Sequence, residues 1–227
     1  VSYRFSQWDP NDREKYIGTP EQWDEAQSMM GRILDHIGIK YSIGVGEAAF
    51  YGPKLDIQMK NVHGKEDTII TIQIDQMLAE QFGMEYVDRD GKKKRPYIIH
   101  RTSLGCYERT LALLIEKYAG ALPLWMAPEQ VRIMSVAESA NEYAKAQAAK
   151  LESLGLRVSV DDRNEKIGYK IREARGERIP YMLVVGEKEA QEGTFAVRKR
   201  GAGEIGSMAV EEFTKVVLEE VAQKVIF

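Results

Sequence analysis

The chain has 227 residues, and with 44% hydrophobic and 30% charged residues it has the composition of a folded protein rather than a long disordered segment. Its formal net charge of −3 excludes a general positive excess, so any nucleic-acid partner must meet a local basic patch. One cysteine, Cys106, excludes an internal disulfide framework and a multi-cysteine zinc site, and it fits a cytoplasmic protein. No apolar run approaches the roughly 18 residues of a membrane span, so no membrane partner is expected.

The first half of the chain predicts strands around a few helices. Thr19-Pro20-Glu21-Gln22 is typical of a helix start, with Thr as N-cap and Gln at the capping-box position, and Gly38 ends this helix. Alternation of polar and apolar residues predicts the strands that follow. These strands are Lys40–Val45, Leu55–Lys60 and Thr68–Gln76, the last two as an antiparallel pair.

A second hairpin is predicted further along this half. Asp90-Gly91 supplies the turn residues, and Tyr86-Val87 and Tyr97–Ile99 are the two expected strands. Gly105 then opens a helix over Tyr107–Tyr118.

The second half alternates strands with helices. Ser139-Ala140-Asn141-Glu142 predicts a capped helix to about Leu154, and an amphipathic helix is predicted over Val210–Val225. The other predicted elements are a helix over Glu165–Arg175 and strands over Val131–Val136, Leu156–Val160, Tyr181–Val185 and Thr194–Arg200. This order is typical of a small α/β domain with a mostly parallel sheet. A boundary near Pro123–Pro128 divides the chain into domains of residues 1–125 and 126–227.

Tyr51 and Lys54 flank a Gly52-Pro53 turn directly before a strand. Gly-Pro marks many turns, so the plain interpretation is a tight turn with a solvated lysine. The alternative is that the Tyr hydroxyl and the Lys ammonium face a pocket, where they orient a polar substrate and neutralise phosphate charge.

Strand Thr68–Gln76 has Thr71, Gln73 and Asp75 on one face. This face either lies toward water, which is the common case, or floors a ligand site in which Gln73 offers both a donor and an acceptor.

The segment His100–Arg109 is the densest in chemical groups. A lone histidine is more often structural than a metal ligand, and a zinc site needs three or four protein ligands, for which the sequence shows no self-contained cluster. Arg109 has two interpretations. It forms an ion pair on the helix surface, or it binds phosphate bidentately from the first helical turn behind Gly105.

Basic groups concentrate in two stretches of the second half, Asp161–Arg172 and Val197–Arg200. They form either a solvated face or an RNA-contacting one. Single-stranded bases are read by mixed polar and planar side chains, of which Asn164, Glu189 and Arg198 are candidates.

Together these segments resemble the bacterial-type threonyl-tRNA synthetases, a family of class II aminoacyl-tRNA synthetases. The resemblance covers essentially the whole chain, in the family's order and spacing. The stretches that carry it are EAAFYGPK (47–54), TIQID (71–75), RPYIIHRTSLGCYER (95–109), AGALPLWMAPEQV (119–131), RNEKIGYKIRE (163–173) and IPYMLVVGEK (179–188). The residues around Gly105–Arg109 are similar to class II motif 3.

The resemblance implies part of a class II catalytic lobe built on an antiparallel sheet, followed by a small α/β anticodon-binding domain. The implied activity is that of a threonine–tRNA ligase. Such an enzyme activates threonine with ATP and Mg²⁺ to threonyl-adenylate and transfers it to the 3′ end of threonine tRNA.

The resemblance also implies a role for individual residues. Lys54 and Arg109 would be catalytic, and Thr71, Cys106 and Arg109 would bind ATP. Threonine would be bound by Tyr51, Gln73, His100 and Thr102, with His100 as one of three Zn²⁺ ligands. The tRNA anticodon would be contacted by Asn164, Lys166, Glu189, Arg198 and Arg200.

The chain also departs from the family pattern. Motifs 1 and 2 have no counterpart here, and neither do the other two zinc ligands, a Cys and a His. We therefore expect a fragment that does not activate threonine alone, from an enzyme that is a homodimer at full length. Cys106 stands where a small hydroxyl residue is common in the family. The alternative is a non-catalytic RNA-binding paralogue of a class II synthetase.

Overall fold

The structure, a computed structural model, describes residues 1–226. It divides into two compact units, the first over Val1–Glu116 and the second from Lys117 onward. The predicted domains of residues 1–125 and 126–227 stay a prediction. No helix in the described part of the chain is long and apolar enough to cross a bilayer.

A five-stranded sheet organises the first unit, with strand order β2-β1-β3-β4-β7. Its elements are β1 (Ser2–Gln7), α1 (Pro20–His36), β2 (Ser42–Val45), β3 (Lys54–Lys60), β4 (Glu66–Asp75), α2 (Leu78–Gln81), β5 (Tyr86–Val87), β6 (Lys93–Lys94), β7 (Ile98–Arg101) and α3 (Tyr107–Tyr118). All neighbours in the sheet are antiparallel except β1 and β2. The predicted antiparallel lobe is confirmed.

Helix α1 covers one face of this sheet. The predicted capping box is confirmed, because Gln22 N donates to Thr19 Oγ1 and Thr19 N donates to Gln22 Oε1 at 2.9 Å. Apolar side chains of α1 and of three strands pack together in one core cluster. Its buried members are Phe5, Ala26, Met30, Leu34, Leu55 and Ile74. Since side chains alternate along a strand, the neighbours of these strand residues lie on the opposite face.

The second hairpin prediction is wrong in one of its strands. Tyr86-Val87 pairs with Lys93-Lys94, whereas Ile98–Arg101 joins the edge of the main sheet beside β4. The turn closes early because Asp88 N donates to Lys92 O and Gly91 takes a φ of 75°. Pro96 follows soon after and has no N–H for a ladder, so the chain leaves the hairpin there.

The second unit is built on another five-stranded sheet, with strand order β12-β11-β10-β8-β9. Its elements are β8 (Val131–Ser135), a 3₁₀ turn (Glu138–Ala140), α4 (Asn141–Ser153), β9 (Val158–Asp161), α5 (Ile167–Gly176), β10 (Tyr181–Val185), α6 (Glu187–Glu192), β11 (Thr194–Lys199), β12 (Gly203–Ala209) and α7 (Val210–Ala222). Strands β10, β8 and β9 are parallel, while β11 and β12 add antiparallel. The α/β class is confirmed, with more antiparallel pairing than the sequence predicts.

The central strands of this sheet are buried on both faces. Ile133 and Leu183 pack in the larger core cluster with α4 and α7, while Met134 and Met182 pack in another with Ala174 of α5. This explains the continuous apolar run of β10, which is typical of a parallel strand covered by helices on both sides.

The predicted cap at Ser139 is wrong. Ser139 lies inside the 3₁₀ turn, and α4 begins at Asn141 with no side-chain cap. The Ser139 hydroxyl instead donates to Glu187 Oε1 at 2.9 Å. A residue already in a helical turn lacks the extended backbone that an N-cap needs.

Candidate functional site

Strand register brings three of the predicted site residues into one row. Lys54 of β3 lies opposite Gln73 of β4, and Gln73 lies opposite His100 of β7. Thr71 lies opposite Asp56, two residues along the same strands and therefore on the same face. The register thus gathers these predicted residues on one polar face, and its role as the floor of a ligand site stays a prediction.

Tyr51 reaches this row from the turn before β3. Its hydroxyl donates to Gln73 Oε1, and its ring lies 6.1 Å from the His100 ring, centroid to centroid. Burial, together with the nearby Asp75 charge, raises the pKa of Tyr51, so the hydroxyl stays a proton donor near neutral pH. Gly52 permits the close turn, since a Cβ there would lie 1.7 Å from Ile74 O.

His100 is held by a buried carboxylate. Its Nε2 lies 2.8 Å from Asp75 Oδ2, and Asp75 is only 2% exposed. Asp75 Oδ1 accepts from the backbone N–H groups of Met77 at 2.7 Å and Leu78 at 3.0 Å. Burial raises the pKa of Asp75, but the His100 and backbone hydrogen bonds outweigh it and leave the pKa below its ordinary value.

A second buried carboxylate, Asp56, joins three strands beneath the site. It accepts from Ser6 Oγ at 2.8 Å, from Lys54 Nζ at 2.5 Å and from Thr71 Oγ1 at 2.9 Å. The sequence analysis did not identify Asp56, because alternation along β3 predicts that it faces water. Lys54 lies two residues earlier and therefore on the same face, and this opposite charge could have indicated the ion pair.

The turn before α3 sets Arg109 at the edge of the sheet. Gly105 has a φ of 66°, and a Cβ there would lie 1.9 Å from Ile69 O. Gly105 N donates to Thr102 Oγ1 at 3.1 Å, which fixes the turn. Arg109 Nη1 donates to Thr68 O at 2.6 Å and leaves the other guanidinium N–H groups for a ligand.

These side chains line one cavity of about 340 Å³. The lining residues are Tyr51, Thr68, Ile69, Thr71, Gln73, His100, Arg101, Thr102, Gly105, Cys106 and Arg109. Every predicted site residue of the first unit is among them except Lys54, which is paired with Asp56. Arg101, which the sequence reasoning did not single out, adds a second guanidinium group to the lining.

The zinc site that the resemblance implies has one predicted ligand in this chain, His100. No group of three or more His, Cys, Asp or Glu side chains is placed to hold a metal within residues 1–226. His100 nevertheless has the features of a single ligand, because its Nε2 is held by Asp75 and Nδ1 is the nitrogen that could bind a metal.

In the second unit, a cavity of about 300 Å³ lies at the carboxyl ends of β8 and β9. Asn164 lines it, and the neighbouring Arg163 donates to Asp161 at 2.7 Å and to Glu173 at 2.5 Å. The Arg163 hydrogen bond is the main cause that lowers the pKa of Asp161. Lys170, only 1% exposed, donates from below to the carbonyls of the two strand ends, Ser135 and Asp161.

The remaining predicted anticodon residues are distributed over other places. Arg198 and Arg200 line a separate basic cavity of about 520 Å³ with Arg175 and Arg178. Since β11 runs antiparallel to β10, this cavity lies toward the amino end of β10, opposite the edge that carries Asn164. Arg198 pairs with Glu204 at 2.6 Å.

Glu189 and Lys166 lie at helix starts. Glu189 Oε2 accepts from Gly186 N at 2.8 Å and so caps α6. Lys166 is exposed and directly precedes α5. The structure therefore does not gather the five predicted anticodon residues into one cavity, and their roles stay predictions.

A family model described as "tRNA synthetase class II core domain (G, H, P, S and T)" matches residues 3–118. The chain belongs to the class II tRNA synthetase family. A second model, described as "Anticodon binding domain", matches residues 130–220 of this class II synthetase chain. Both matches agree with the resemblance and with the fold, and they confirm the family that the sequence indicates.

Two relatives with the same activity in their names match nearly the whole of this chain. A threonine–tRNA ligase of Clostridium perfringens (strain SM101 / Type A) is 59% identical over 224 residues, which are 99% of this chain and 35% of the relative. Threonine–tRNA ligase 1 of Bacillus subtilis (strain 168) is 48% identical over 96% of this chain and 34% of its own length. The chain thus spans about a third of the relatives that it matches.

A solved structure shares the fold of this class II chain. It is the RNA binding domain of threonyl-tRNA synthetase from Cryptosporidium parvum Iowa II, with a TM-score of 0.80 and 32% identity. The match covers 96% of this chain and 54% of that structure.

Proposed function

We propose that this chain is part of a threonine–tRNA ligase, which activates threonine with ATP and transfers it to threonine tRNA. The observation that carries the proposal is the cavity of the first unit, where Tyr51, Gln73, His100 and Arg109 meet in a chain of the class II family. The names of the relatives support the same specificity.

Threonine would lie against the row that Gln73 and His100 form. Tyr51 and Gln73 would hydrogen-bond its polar groups, and the polar lining disfavours valine, which has a methyl group in place of the hydroxyl. Zn²⁺ is implied by the family, and His100 would be one of its ligands. When bound, Zn²⁺ would coordinate the amino and hydroxyl groups of threonine. Thr102 would contribute by fixing the turn beside His100.

ATP, with Mg²⁺ as its partner, would bind toward Thr71, Cys106 and Arg109. The threonine carboxylate would attack the α-phosphate and displace pyrophosphate, so the protein must orient the two groups and stabilise the charge of the transition state. Arg109 and Arg101 would supply guanidinium donors to the phosphates. Lys54, whose Nζ lies 2.5 Å from Asp56 Oδ2, would offer its remaining ammonium hydrogens on the same face.

The second unit would bind the anticodon of threonine tRNA. Asn164 and Lys166 would act at the carboxyl edge of the parallel strands, with Glu189 on α6. Arg198 and Arg200 would act from the basic cavity, where Arg175 and Arg178 add charge suited to the RNA backbone. We further propose a cytoplasmic homodimer for the whole enzyme.

A chimera tests the ligase proposal. This chain would replace the matching 224 residues of the Clostridium perfringens ligase, and threonine-dependent ATP–pyrophosphate exchange would be measured. Activity of the chimera supports the proposal, and a folded chimera without exchange contradicts it. This chain by itself is expected to show no exchange, because it offers only His100 toward the implied zinc site.

The alternative, a non-catalytic RNA-binding paralogue, makes a different prediction. It expects anticodon stem-loop binding by this chain together with an inactive chimera. Tyr51, Gln73, His100 and Arg109 count against it, because a protein that only binds RNA has no chemical use for this constellation.

A further inference from the structure

We propose that Asp75 is a positioning residue that holds the proton of neutral His100 on Nε2 and so leaves the lone pair on Nδ1. This inference rests on the proposed function for its purpose, since a metal-binding histidine must present an unprotonated nitrogen. Its physical basis lies in the hydrogen bonds around Asp75 alone.

Both carboxylate oxygens of Asp75 have hydrogen-bond partners. Oδ1 accepts from Met77 N at 2.7 Å and from Leu78 N at 3.0 Å, while Oδ2 lies 2.8 Å from His100 Nε2. Asp75 is 2% exposed and ends β4, so neither oxygen can turn away without breaking these bonds. The side chain of His100 is 43% exposed, and it is among the residues that line the cavity.

The chemistry of the pair selects one tautomer. An ionised carboxylate only accepts hydrogen bonds, so Nε2 must carry the proton that it donates to Oδ2. A neutral imidazole has one N–H, and Nδ1 therefore keeps its lone pair. In metal sites, a carboxylate behind the histidine orients the ring and raises its basicity as a ligand.

The substitution Asp75→Asn reverses the donor and the acceptor. The two backbone N–H groups need an oxygen, so the amide oxygen takes the place of Oδ1. The amide nitrogen then stands where Oδ2 was and donates to His100 Nε2. Nε2 must now accept, and the proton of the neutral ring moves to Nδ1.

Long-range ¹H–¹⁵N spectra of histidine-labelled protein at about pH 9 test this directly, because they distinguish the two tautomers of a neutral imidazole. The chain has three histidines, and exchange of the exposed His36 and His63 for Gln assigns the signals. The matched control is Asp67→Asn, on the same strand but bonded to Asn61 instead.

We expect the Nε2–H tautomer in the unaltered chain and in Asp67→Asn, and the Nδ1–H tautomer in Asp75→Asn. An Nδ1–H tautomer in the unaltered chain overturns the proposal, as does an Asp75→Asn spectrum with an unchanged tautomer. If Asp75→Asn fails to fold, an Nδ1–H tautomer in the unaltered chain would still overturn the proposal, because the proposal requires Nε2–H there.

A second readout tests the positioning role itself. In the chimera with the Clostridium ligase, Asp75→Asn should weaken Zn²⁺ binding by about 10–100-fold in competition with a chelator. A switched tautomer with unchanged Zn²⁺ affinity would contradict the role. The tautomer is measured without threonine, ATP or metal. An inactive chimera together with an Nε2–H tautomer would therefore contradict the ligase proposal but not the proposal about Asp75.

Discussion

The two units hold their polar side chains in different ways. In the first, buried carboxylates lie beneath the cavity, where Asp56 holds Lys54 and Thr71, and Asp75 holds His100. In the basic cavity of the second unit, Arg198 pairs with Glu204, which is 63% exposed, whereas Arg163 at the other cavity of that unit pairs with the buried Asp161. Buried hydrogen bonds fix geometry, which suits the chemistry proposed for the first unit. Exposed ion pairs are weak, which suits their exchange for phosphates in the RNA binding proposed for the second unit.

Asp56→Ala should give the largest effect, because it removes the carboxylate that accepts hydrogen bonds from side chains of three strands. We expect the free energy of unfolding of the first unit to fall by about 3–4 kcal/mol, since Lys54 loses its buried partner. Urea unfolding in a Trp125→Phe background reports on this unit through Trp8 and Trp23. Asp67→Ala is the control on the neighbouring strand, and a loss as small as that of the control would refute the bracing role.

Lys170→Met tests a buried charge that joins two strand ends of the second unit. The carbonyls of Ser135 and Asp161 lose their partner, so we expect a loss of about 2–3 kcal/mol in unfolding free energy. Trp125 fluorescence in a Trp8→Phe, Trp23→Phe background is the measurement. The exposed Lys166→Met should change stability little, and equal effects of the two would show that burial does not matter here.

Arg198→Ala examines the basic cavity. Binding of a threonine tRNA anticodon stem-loop should weaken by about 1–3 kcal/mol at fixed salt if the guanidinium reads a base. Lys215→Ala, an exposed basic residue on α7, is the matched control. Unchanged affinity for Arg198→Ala would remove this cavity from the proposed RNA interface.

The smallest expected effect concerns acid stability. The Arg163 hydrogen bond lowers the pKa of Asp161 below its ordinary 3.8, so this carboxylate stabilises the fold above that value. Its contribution is lost as the pH falls through the lower pKa of the folded state. In Asp161→Asn, the free energy of unfolding should therefore fall less steeply as the pH drops below about 4. An unaltered slope in acid titrations followed by circular dichroism would exclude Asp161 as a contributor.

Local signals in the sequence account for much of the fold. The cap of α1 is predicted because Thr19, Pro20 and Gln22 act within one turn, and β10 because a strand buried on both faces needs an apolar run. The pairing of β7 with β4 joins residues far apart in the sequence. Nothing within Tyr86–Ile99 indicates that β7 pairs with β4 and not with β5. Strand β12 is missed because Gly203 and Gly206, both with positive φ, weaken any strand pattern.

The site shows the same division. Three side chains that line the cavity, Tyr51, His100 and Arg109, follow from residue types in a recognisable order. Their supports do not, because the burial of Asp56 depends on Ser6 in a strand far away in the sequence. Alternation alone predicts a solvated Asp56, and only the register of three strands reveals a buried acceptor.

We propose above all that the cavity of the first unit binds threonine and ATP. Threonine-dependent ATP–pyrophosphate exchange by the chimera, with and without Arg109→Ala, tests it most directly. We predict exchange with threonine that falls by about 100-fold or more when Arg109 is removed, the scale expected for a group that stabilises transition-state charge. The exposed Arg89→Ala should leave exchange intact. Full exchange in Arg109→Ala, or equal exchange with valine and threonine, would contradict the account.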